Sequence, residues 1–284
     1  MNPPEPELAL IRLALAEDTG AGDVTTLWTV SAEARAEAVV QAKSAGVLAG
    51  TGVAGAVFRE VDPYLQITAE RRDGEWVEPD DTLLRVSGAA RSILIAERTA
   101  LNFLQRLSGV ATLTRRYVAA VEGTGARVLD TRKTTPGMRG MEKLAVRAGG
   151  GENHRLGLSD MVLIKENHLA LAGGVGPALE RVMELREPGV ELEVEVRTLR
   201  ELDEVLASGV VDRILLDNMP LPVLHQALER IRSQSGPRPS TEASGGVTLE
   251  NARLVAESGV DFISVGALTH SAPALDLTLR LEAR

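Results

Sequence analysis

From Gly125 onwards, short apolar runs alternate with longer segments of helical periodicity, and this alternation restricts the fold more than any other feature of the chain. Alternating strands and helices form parallel sheets whose strands are joined by right-handed crossovers. Because no edge-strand pattern interrupts the series, it favours a (β/α) barrel over an open sheet, although six strands do not establish a complete barrel. Each predicted strand precedes a helix, and the strands span 127–130, 161–165, 191–196, 212–216, 240–243 and 261–265.

The residues before this region have a different pattern. Apolar residues recur at helical spacing over 5–17, which predicts an amphipathic helix. Short β-like pieces then lie between about 35 and 90, with one helix around 51–60 between them. This order is typical of a small α+β unit.

A long helical pattern over 91–121 is interrupted near Ser108-Gly109 and connects the two parts of the chain. We therefore predict two domains. The first is an N-terminal α+β sandwich with this bridging helix at 1–110. The second is an α/β barrel at 111–284, whose C-terminal helix is expected to pack back on the N-terminal domain.

Composition excludes several classes of function. The 284 residues have a net charge of −9, so we expect neither nucleic acid nor an anionic membrane as a partner. The chain has no cysteine, which excludes disulfides, thiolate metal sites and a cysteine nucleophile. Its N-terminus lacks the basic region of a signal peptide, and no apolar run approaches membrane-spanning length. We therefore expect a cytoplasmic protein.

The stretch from Asp130 to His168 concentrates the cations of this acidic chain. It contains three of the four lysines, and its seven lysines and arginines outnumber its five acids. Elsewhere the chain uses arginine, so a lysine here indicates a need for a compact, directed ammonium. Concentrated cations in a Gly-rich region predict a site for a small polyanion.

Cationic side chains follow the first two predicted barrel strands. Lys133 comes after the strand at 127–130, and Lys165 ends the strand at 161–165. Cations at strand ends are usually solvated. Barrel active sites, however, are built at the C-terminal ends of the strands, so we expect these two lysines to face one ligand.

Three consecutive glycines, Gly149–Gly151, lie between these strands and precede His154 and Arg155. Such a run permits unusual backbone torsions and a close approach to a ligand, and it places the His-Arg pair in a loop. The alternative is a flexible hinge with a surface histidine. Because arginine can bind a carboxylate through two hydrogen bonds, the pair predicts carboxylate recognition.

Acidic side chains alternate along the strand at 191–196. Glu195, nearest the C-terminal end, is the functional candidate, and the alternative that these acids merely face water stays open for Glu191 and Glu193. The next strand ends in Asp217. Two carboxylates on neighbouring strands suit Mg²⁺, which prefers one or two carboxylates together with phosphate oxygens and water.

Glycines follow the last two strands, in Ser244-Gly245-Gly246 and in Gly266-Ala267. Each group opens towards a helix and leaves backbone N–H groups for a phosphate, at the usual phosphate site of barrels. His270 is a further candidate contact to phosphate, although a histidine beside a loop is more often structural. Together with the cations and acids, these features predict a phosphorylated sugar and an anionic co-substrate as ligands.

The chain resembles the quinolinate phosphoribosyltransferases. The segments that carry the resemblance cover most of the chain in order and are EDTGAGDVTT, ERTALNFLQRLSG, DTRKTTPGMR, GGGENHRLGLSDMVLIKENH, EVEV, ILLDNM, EASGG and VGALTHS. The resemblance implies that quinolinate and phosphoribosyl pyrophosphate give nicotinate mononucleotide, pyrophosphate and CO₂, with Mg²⁺ as cofactor, in the synthesis of NAD.

The resemblance also implies roles for site residues. Lys133 would act on the pyrophosphate side, and Glu195 and Asp217 would contact the ribose and the metal. The quinolinate carboxylates would be held by Arg98, Arg132, His154, Arg155 and Lys165. The 5′-phosphate would be held by Ser244, Gly245, Gly246, Gly266 and His270.

The family fold is a small α/β sandwich beside an incomplete, seven-stranded α/β barrel, one strand more than the pattern predicts. The resemblance further implies a homodimer with shared active sites, in which Arg98 enters the site of the partner. Spacing alone would instead make Arg98 a solvated residue on an amphipathic helix.

Three alternatives stay open. A different sugar-phosphate barrel enzyme, such as an aldolase or isomerase, would use Lys165 to form a Schiff base. A paralogue associated with molybdenum transport would share the fold and some motifs. A non-enzymatic binding or scaffold module would require the strand-end charges to be incidental.

Overall fold

The computed structural model describes residues 4–283, which form two compact units. The first unit contains residues 4–115, 133–151 and 267–283, and the second contains residues 116–132 and 152–266. The helices are α1 (Glu5–Thr19), α2 (Val24–Thr29), α3 (Thr51–Val61), α4 (Ala90–Ala120), α5 (Arg139–Ala148), α6 (Glu166–Ala172), α7 (Val175–Leu185), α8 (Leu199–Ser208), α9 (Leu221–Arg232), α10 (Ala252–Glu257) and α11 (Ala267–His270). The strands are β1 (Arg35–Ala42), β2 (Gly46–Val47), β3 (Gln66–Ala69), β4 (Trp76–Val77), β5 (Thr82–Ala89), β6 (Arg127–Leu129), β7 (Val162–Ile164), β8 (Leu192–Val196), β9 (Arg213–Asp217), β10 (Ser240–Ser244), β11 (Phe262–Ser264) and β12 (Leu277–Ala283).

A four-stranded antiparallel sheet, in the order β12-β1-β5-β3, organises the first unit. Strand β1 has one buried face because Ala36, Ala38 and Val40 alternate with residues that are more exposed. Helix α3 packs six consecutive residues into the core, and Asp73 caps it by accepting hydrogen bonds from the N–H groups at its start. The predicted combination of strands and helices in this region is confirmed.

The predicted interruption at Ser108-Gly109 is wrong, because α4 is continuous from Ala90 to Ala120. Gly109 serves close packing instead of breaking the helix. A Cβ atom at this position would lie 2.0 Å from the carbonyl oxygen of Pro273. Glycine is therefore required by the neighbouring backbone, at a known cost in helix propensity.

The predicted C-terminal helix is also wrong. Residues 277–283 form strand β12, which pairs antiparallel with β1 from Leu277 opposite Ala42 onwards. The segment LTLRLEA places an apolar residue at every second position, and this period of two suits a strand better than a helix. The end of the chain does join the first unit, but as a strand.

The compact units divide the chain differently from the predicted domains, which were separated at residue 110. Residues 133–151 belong to the first unit although they follow strand β6. Close packing on α4 explains the assignment: a Cβ atom at Gly149 would lie 2.4 Å from the carbonyl oxygen of Ala111. Arg115 Nε also donates to the carbonyl oxygen of Gly149, at 2.9 Å.

A six-stranded parallel sheet, in the order β6-β11-β10-β9-β8-β7, forms the centre of the second unit. All six strands lie where the sequence predicts them, so the α/β class with parallel strands is confirmed. Strands β6 and β7 are the edges, and among residues 4–283 no ladder pairs them. An isolated bridge between Leu129 and Glu152 extends the β6 edge. The barrel is therefore incomplete, as the resemblance implies, but within the described residues its sheet has the six strands of the sequence pattern and not seven.

Strand β8 is central to this sheet, and all five of its residues are buried, including Glu193 and Glu195. Buried carboxylates need compensating partners because an ion is costly to remove from water. The partners of these two glutamates define the site described below. Within the described part of the chain, no helix has both the length and the apolar character required to cross a bilayer.

Candidate active site

Charged and polar side chains of the second unit gather where its parallel strands end. Lys165 directly follows β7, Asp217 ends β9, and Ser244 ends β10. Arg132 lies three residues after the end of β6. The carboxyl ends of parallel strands lie along one edge of a sheet, so these side chains share that edge.

Three ion pairs join the residues at this edge. Lys165 Nζ lies 2.7 Å from Glu195 Oε2, and Glu195 is almost fully buried, with 7% of its side chain exposed. Arg197 Nε lies 3.3 Å from Asp217 Oδ2, and Arg197 Nη2 lies 3.7 Å from Glu195 Oε1. The structure thus brings together Lys165, Glu195 and Asp217, three residues that the sequence singled out.

Arg197 was missed by the sequence interpretation. It is the first residue after β8, and a capping box between Thr198 and Glu201 starts α8 immediately behind it. Glu201 Oε2 also accepts a hydrogen bond from the N–H of Arg197, at 2.7 Å. The same rule that selected Lys165 after β7 selects Arg197 after β8, so the signal was available.

Arg132 and Arg155 place two positive charges near each other. Burial lowers the pKa of Arg155, and the neighbouring charge of Arg132 lowers that pKa further. Arg132 Nε is buried and has no hydrogen-bond partner among the described residues. Two guanidinium groups held in mutual repulsion, one with a free donor, are suited to bind an anion.

His154 does not point freely into a ligand cavity, because both of its ring nitrogens have partners inside the protein. Nε2 lies 3.0 Å from Glu193 Oε2 and 3.4 Å from Glu242 Oε2, and only 7% of the His154 side chain is exposed. Nδ1 accepts a hydrogen bond from the N–H of Arg155, at 2.8 Å. The contact of His154 with a carboxylate ligand is still a prediction, and the arrangement of its ring nitrogens does not support it.

The alternative that Glu193 faces water is wrong, since its side chain is 0% exposed. The error has a physical origin: β8 is covered on both faces, as strands of parallel sheets usually are. Glu191, at the start of the strand, is half-buried and lies 3.0 Å from Arg213. Glu242, on β10, is a second buried carboxylate that the sequence interpretation missed.

The buried cluster shares protons. Burial alone would lower the pKa of His154, but interactions with Glu193 and Glu242 raise it to about 9. Burial also raises the pKa of Glu193. The N–H of Arg155 donates to Nδ1, so Nδ1 carries a lone pair and the ring hydrogen lies on Nε2, towards the two carboxylates.

Asp130 fixes the turn that contains the His-Arg pair. Its buried carboxylate accepts hydrogen bonds from the N–H of His154, at 2.8 Å, and from Asn153 Nδ2, at 2.6 Å. Asp160 accepts hydrogen bonds from the backbone further along the loop, including one from Gly157 at 2.9 Å. The loop after Gly151 is thus ordered by carboxylates at both ends.

The glycines predicted to bind phosphate form a turn at the end of β10. Gly245 and Gly246 have φ angles of +86° and +63°, which favour glycine. A Cβ atom at Gly245 would lie 2.3 Å from Asn218 Oδ1. Helix α10 begins only at Ala252, so this turn does not adjoin a helix N-terminus as predicted. Gly266 does directly precede the single turn of α11.

Three predicted site residues belong to the first unit. Arg98 and Lys133 are exposed, and His270 is exposed with Nδ1 2.6 Å from Ser271 Oγ. The backbone oxygen of Lys133 accepts a hydrogen bond from Thr269 Oγ1, at 2.8 Å. This bond joins the segment that contains Lys133 to the segment that contains His270.

An ion pair in the first unit holds these same segments. Glu142, fully buried, accepts hydrogen bonds from Thr135 N and Oγ1 at 3.0 and 2.8 Å and from Arg106 Nη2 at 2.8 Å. Arg106 donates in turn to the carbonyl oxygens of Thr269 and Ala272. The sequence interpretation missed both residues, because a single arginine within a long helix carries no distinguishing signal.

The carboxylates of Glu195 and Asp217 fit a hard divalent cation by chemistry and position. They lie near the ends of neighbouring strands, and strand β8 pairs in parallel with β9. Lys165 and Arg197 balance their charge in this structure, so a cation bound by both carboxylates would replace these ion pairs. Oxygen ligands of this kind suit Mg²⁺, which would be completed by water and phosphate oxygens.

The chain is similar along most of its length to known proteins of one family. A family model for the C-terminal domain of quinolinate phosphoribosyl transferase matches residues 110–280, and a model for the N-terminal domain matches residues 23–108. The chloroplastic nicotinate-nucleotide pyrophosphorylase (carboxylating) of Arabidopsis thaliana is 47% identical, over 96% of this chain and 82% of the relative. The corresponding protein of Mycobacterium leprae is 46% identical, over 95% of both chains. The crystal structure of NadC from Streptococcus pyogenes superposes with a TM-score of 0.91 and 38% identity, over 97% of this chain and 96% of that chain.

Proposed function

Because the chain belongs to the quinolinate phosphoribosyltransferase family, we propose that it transfers a phosphoribosyl group from phosphoribosyl pyrophosphate to quinolinate. The products are nicotinate mononucleotide, pyrophosphate and CO₂, and the reaction supplies NAD synthesis. The observation that supports this most directly is the pair formed by Arg132 and Arg155, whose repulsion a dicarboxylate would relieve.

The acidic pair suits the first chemical step. Departure of pyrophosphate leaves positive charge on the ribose ring, which the carboxylates of Glu195 and Asp217 stabilise. Lys165 and Arg197 hold these carboxylates in place, so little reorganisation is needed as the charge develops. No proton has to be removed from quinolinate.

Loss of CO₂ follows from the same binding mode. Ribosylation of the ring nitrogen produces a pyridinium, whose positive charge stabilises the electron pair left on the neighbouring ring carbon when CO₂ departs. A proton from solvent then bonds to that carbon. Arg132 and Arg155 hold the diacid so that its nitrogen faces the sugar. The role of His154 in this grip is indirect, since its ring nitrogens face Glu193, Glu242 and the N–H of Arg155.

Charge on the leaving group also has to be neutralised. Glu195 and Asp217 would hold Mg²⁺, which would supply positive charge for the pyrophosphate oxygens. Lys133 has the same role by its ammonium charge, and the turn at Ser244–Gly246, Gly266 and His270 are proposed to bind the 5′-phosphate. Arg98 is proposed to contribute to the quinolinate site of a partner subunit.

Purified protein incubated with quinolinate, phosphoribosyl pyrophosphate and Mg²⁺ tests the function. We expect nicotinate mononucleotide, pyrophosphate and CO₂ in equal amounts. Mass spectrometry measures the first two products, and trapping of labelled CO₂ measures the third. Absence of all three products with correctly folded protein would overturn the proposal. Nicotinate in place of quinolinate is the matched control, and we expect it to be turned over far more slowly than quinolinate.

A Schiff-base enzyme on the same barrel is less well supported. Lys165 is the lysine that the alternative requires, but its ammonium lies 2.7 Å from Glu195 in an ion pair. An ion-paired ammonium has no lone pair to attack a carbonyl. Borohydride treatment with sugar phosphates would trap an adduct if this alternative held. The curated relatives reported above have pyrophosphorylase names, which does not favour a transport paralogue.

A homodimer is the assembly we propose. Exposed leucines, including Leu158 and Leu171, surround a largely apolar cavity of about 550 Å³ in the second unit, beside the edge strand β7. Apolar surface of this kind is typical of an interface. Light scattering of the purified protein should give twice the chain mass of 30.2 kDa.

The cytoplasmic location also remains a proposal, since plant relatives are named chloroplastic.

A further inference from the structure

We propose that Glu193 and Glu242 are positioning residues that act through His154 to hold Arg155 in its substrate-binding orientation. The inference rests on the proposed function, because it concerns the grip on quinolinate. It differs from the family resemblance, which makes His154 a direct ligand of the substrate and gives no role to either glutamate.

A continuous set of contacts supports this assignment. Glu193 and Glu242 contact the edge of the His154 ring at Nε2, at 3.0 and 3.4 Å. The opposite ring nitrogen, Nδ1, accepts the N–H of Arg155 at 2.8 Å. The ring therefore connects two buried carboxylates to the backbone of the residue that would bind the ligand.

Stability alone does not explain the two buried acids. Both glutamates have fully buried side chains on interior strands, and neither oxygen of Glu193 has a well-directed hydrogen bond among residues 4–283. Replacing buried ionic groups by apolar residues is often neutral or stabilising. Two buried carboxylates that both contact His154 through the same ring nitrogen indicate a requirement for a fixed imidazole.

A metal ion could in principle use the same three ligands, since their donor atoms lie within 4.8 Å of one another. The charges favour a proton instead. Glu242 Oε2 already faces Arg213 Nη1 at 3.4 Å as well as His154 Nε2 at 3.4 Å. A divalent ion beside this guanidinium would be repelled, whereas an Nε2–H group satisfies both carboxylates without adding charge.

The variants Glu193→Gln and Glu242→Gln test the proposal, because each preserves the shape and removes the negative charge. The matched control is Glu191→Gln: Glu191 directly precedes strand β8 and pairs with Arg213 at 3.0 Å, whereas the acids that face His154 Nε2 are Glu193 and Glu242. Steady-state constants should be measured for both substrates, together with the ring-nitrogen spectrum of the four histidines by ¹⁵N NMR.

We expect the KM for quinolinate to rise about tenfold in Glu193→Gln, the loss typical of one misaligned charged hydrogen bond. The KM for phosphoribosyl pyrophosphate should change less than about twofold, and one histidine resonance should shift. Glu191→Gln should leave both KM values and that resonance unchanged. If the glutamates had a purely structural role, the variants would have a lower melting temperature, and the ratio of the KM for quinolinate to the KM for phosphoribosyl pyrophosphate would be that of the wild type.

Unchanged KM for quinolinate in both folded variants would overturn the inference while the wild-type activity preserved the proposed function. An inactive wild type would overturn the function itself. If Glu193→Gln does not fold, Glu242→Gln and Glu193→Asp, which has a shorter side chain, take its place. In both we expect the same rise in the KM for quinolinate without a matching rise in the KM for phosphoribosyl pyrophosphate. Elemental analysis that found one metal ion per wild-type chain, lost in both Gln variants, would also overturn it.

Discussion

Replacing Gly109 by alanine should destabilise the protein, although alanine is the better helix former. A Cβ atom at this position would lie 2.0 Å from the carbonyl oxygen of Pro273 and 2.9 Å from its carbonyl carbon. The backbone there must move by about 1 Å to restore a tolerable contact. Hydrogen bonds on both sides resist that movement: Arg106 donates to the oxygen of Ala272, and Leu275 N–H donates to the oxygen of Gln105.

The magnitude follows from two opposing effects. Forcing an extra carbon into a packed region costs about 1–3 kcal/mol, and the restrained backbone at Pro273 places Gly109→Ala near the upper end. Alanine recovers about 0.5–1 kcal/mol by its helix propensity. We therefore expect a net loss of about 2 kcal/mol in the free energy of unfolding, measured by urea denaturation monitored by circular dichroism.

Gly55→Ala is the matched control, because Gly55 is also a buried glycine inside a helix. Its Cβ atom would meet only the flexible end of Arg59, at 3.3 Å. We expect a neutral effect or a gain of up to about 1 kcal/mol there. Equal stability of both variants would refute the claim that close packing, rather than a helix break, explains the glycine in α4.

Three further predictions concern other parts of the molecule. Lys133→Ala should lower kcat at least about a hundredfold with an unchanged melting temperature, because the side chain is exposed; wild-type turnover would remove this lysine from the mechanism. Glu142→Gln should lower the free energy of unfolding by about 3 kcal/mol in a urea titration, since it leaves Arg106 without its buried charged partner. Glu152→Gln, which removes an exposed ion pair, should lower it by less than about 1 kcal/mol. Similar losses in both variants would contradict the view that the buried ion pair stabilises the first unit. The pKa of Asp261 is lowered because hydrogen bonds from Thr241 and the ion pair with Arg238 outweigh the effect of burial. The ionised carboxylate therefore stabilises the fold above about pH 4, and this stabilisation is lost as the pH falls through the folded pKa. Asp261→Asn should lose less stability than the wild type on acidification, and an equal dependence of the unfolding free energy on pH in both proteins would argue against this contribution.

The sequence predicted the second unit well because its signal is local. Each strand of the parallel sheet is a short apolar run before a helix, and all six were located from that pattern. The same rule placed Lys165 and Asp217 at strand ends, where the structure finds them. Local pattern is sufficient when each element is defined by its own residues.

The first unit and the buried acids were harder to predict because distant residues define them. Gly109 resembles a helix break until Pro273 is seen beside it. Strand β12 depends on its pairing with β1, more than two hundred residues earlier in the chain. Glu193 resembles a solvent-facing residue until Glu242 and His154, from separate elements, surround it. Tertiary contacts decide Gly109 and Glu193, and no local period reports them, whereas the period of two in LTLRLEA did indicate strand β12.

The account depends on a pair of guanidinium groups that recognises a diacid, and the specificity of Arg155→Met measures this most directly. The ratio of kcat/KM for quinolinate to that for nicotinate should be determined in the wild type and in this variant. We predict that kcat/KM for quinolinate falls roughly a hundredfold and that the preference for the diacid is largely lost. Full retention of kcat/KM for quinolinate in folded Arg155→Met would contradict the account.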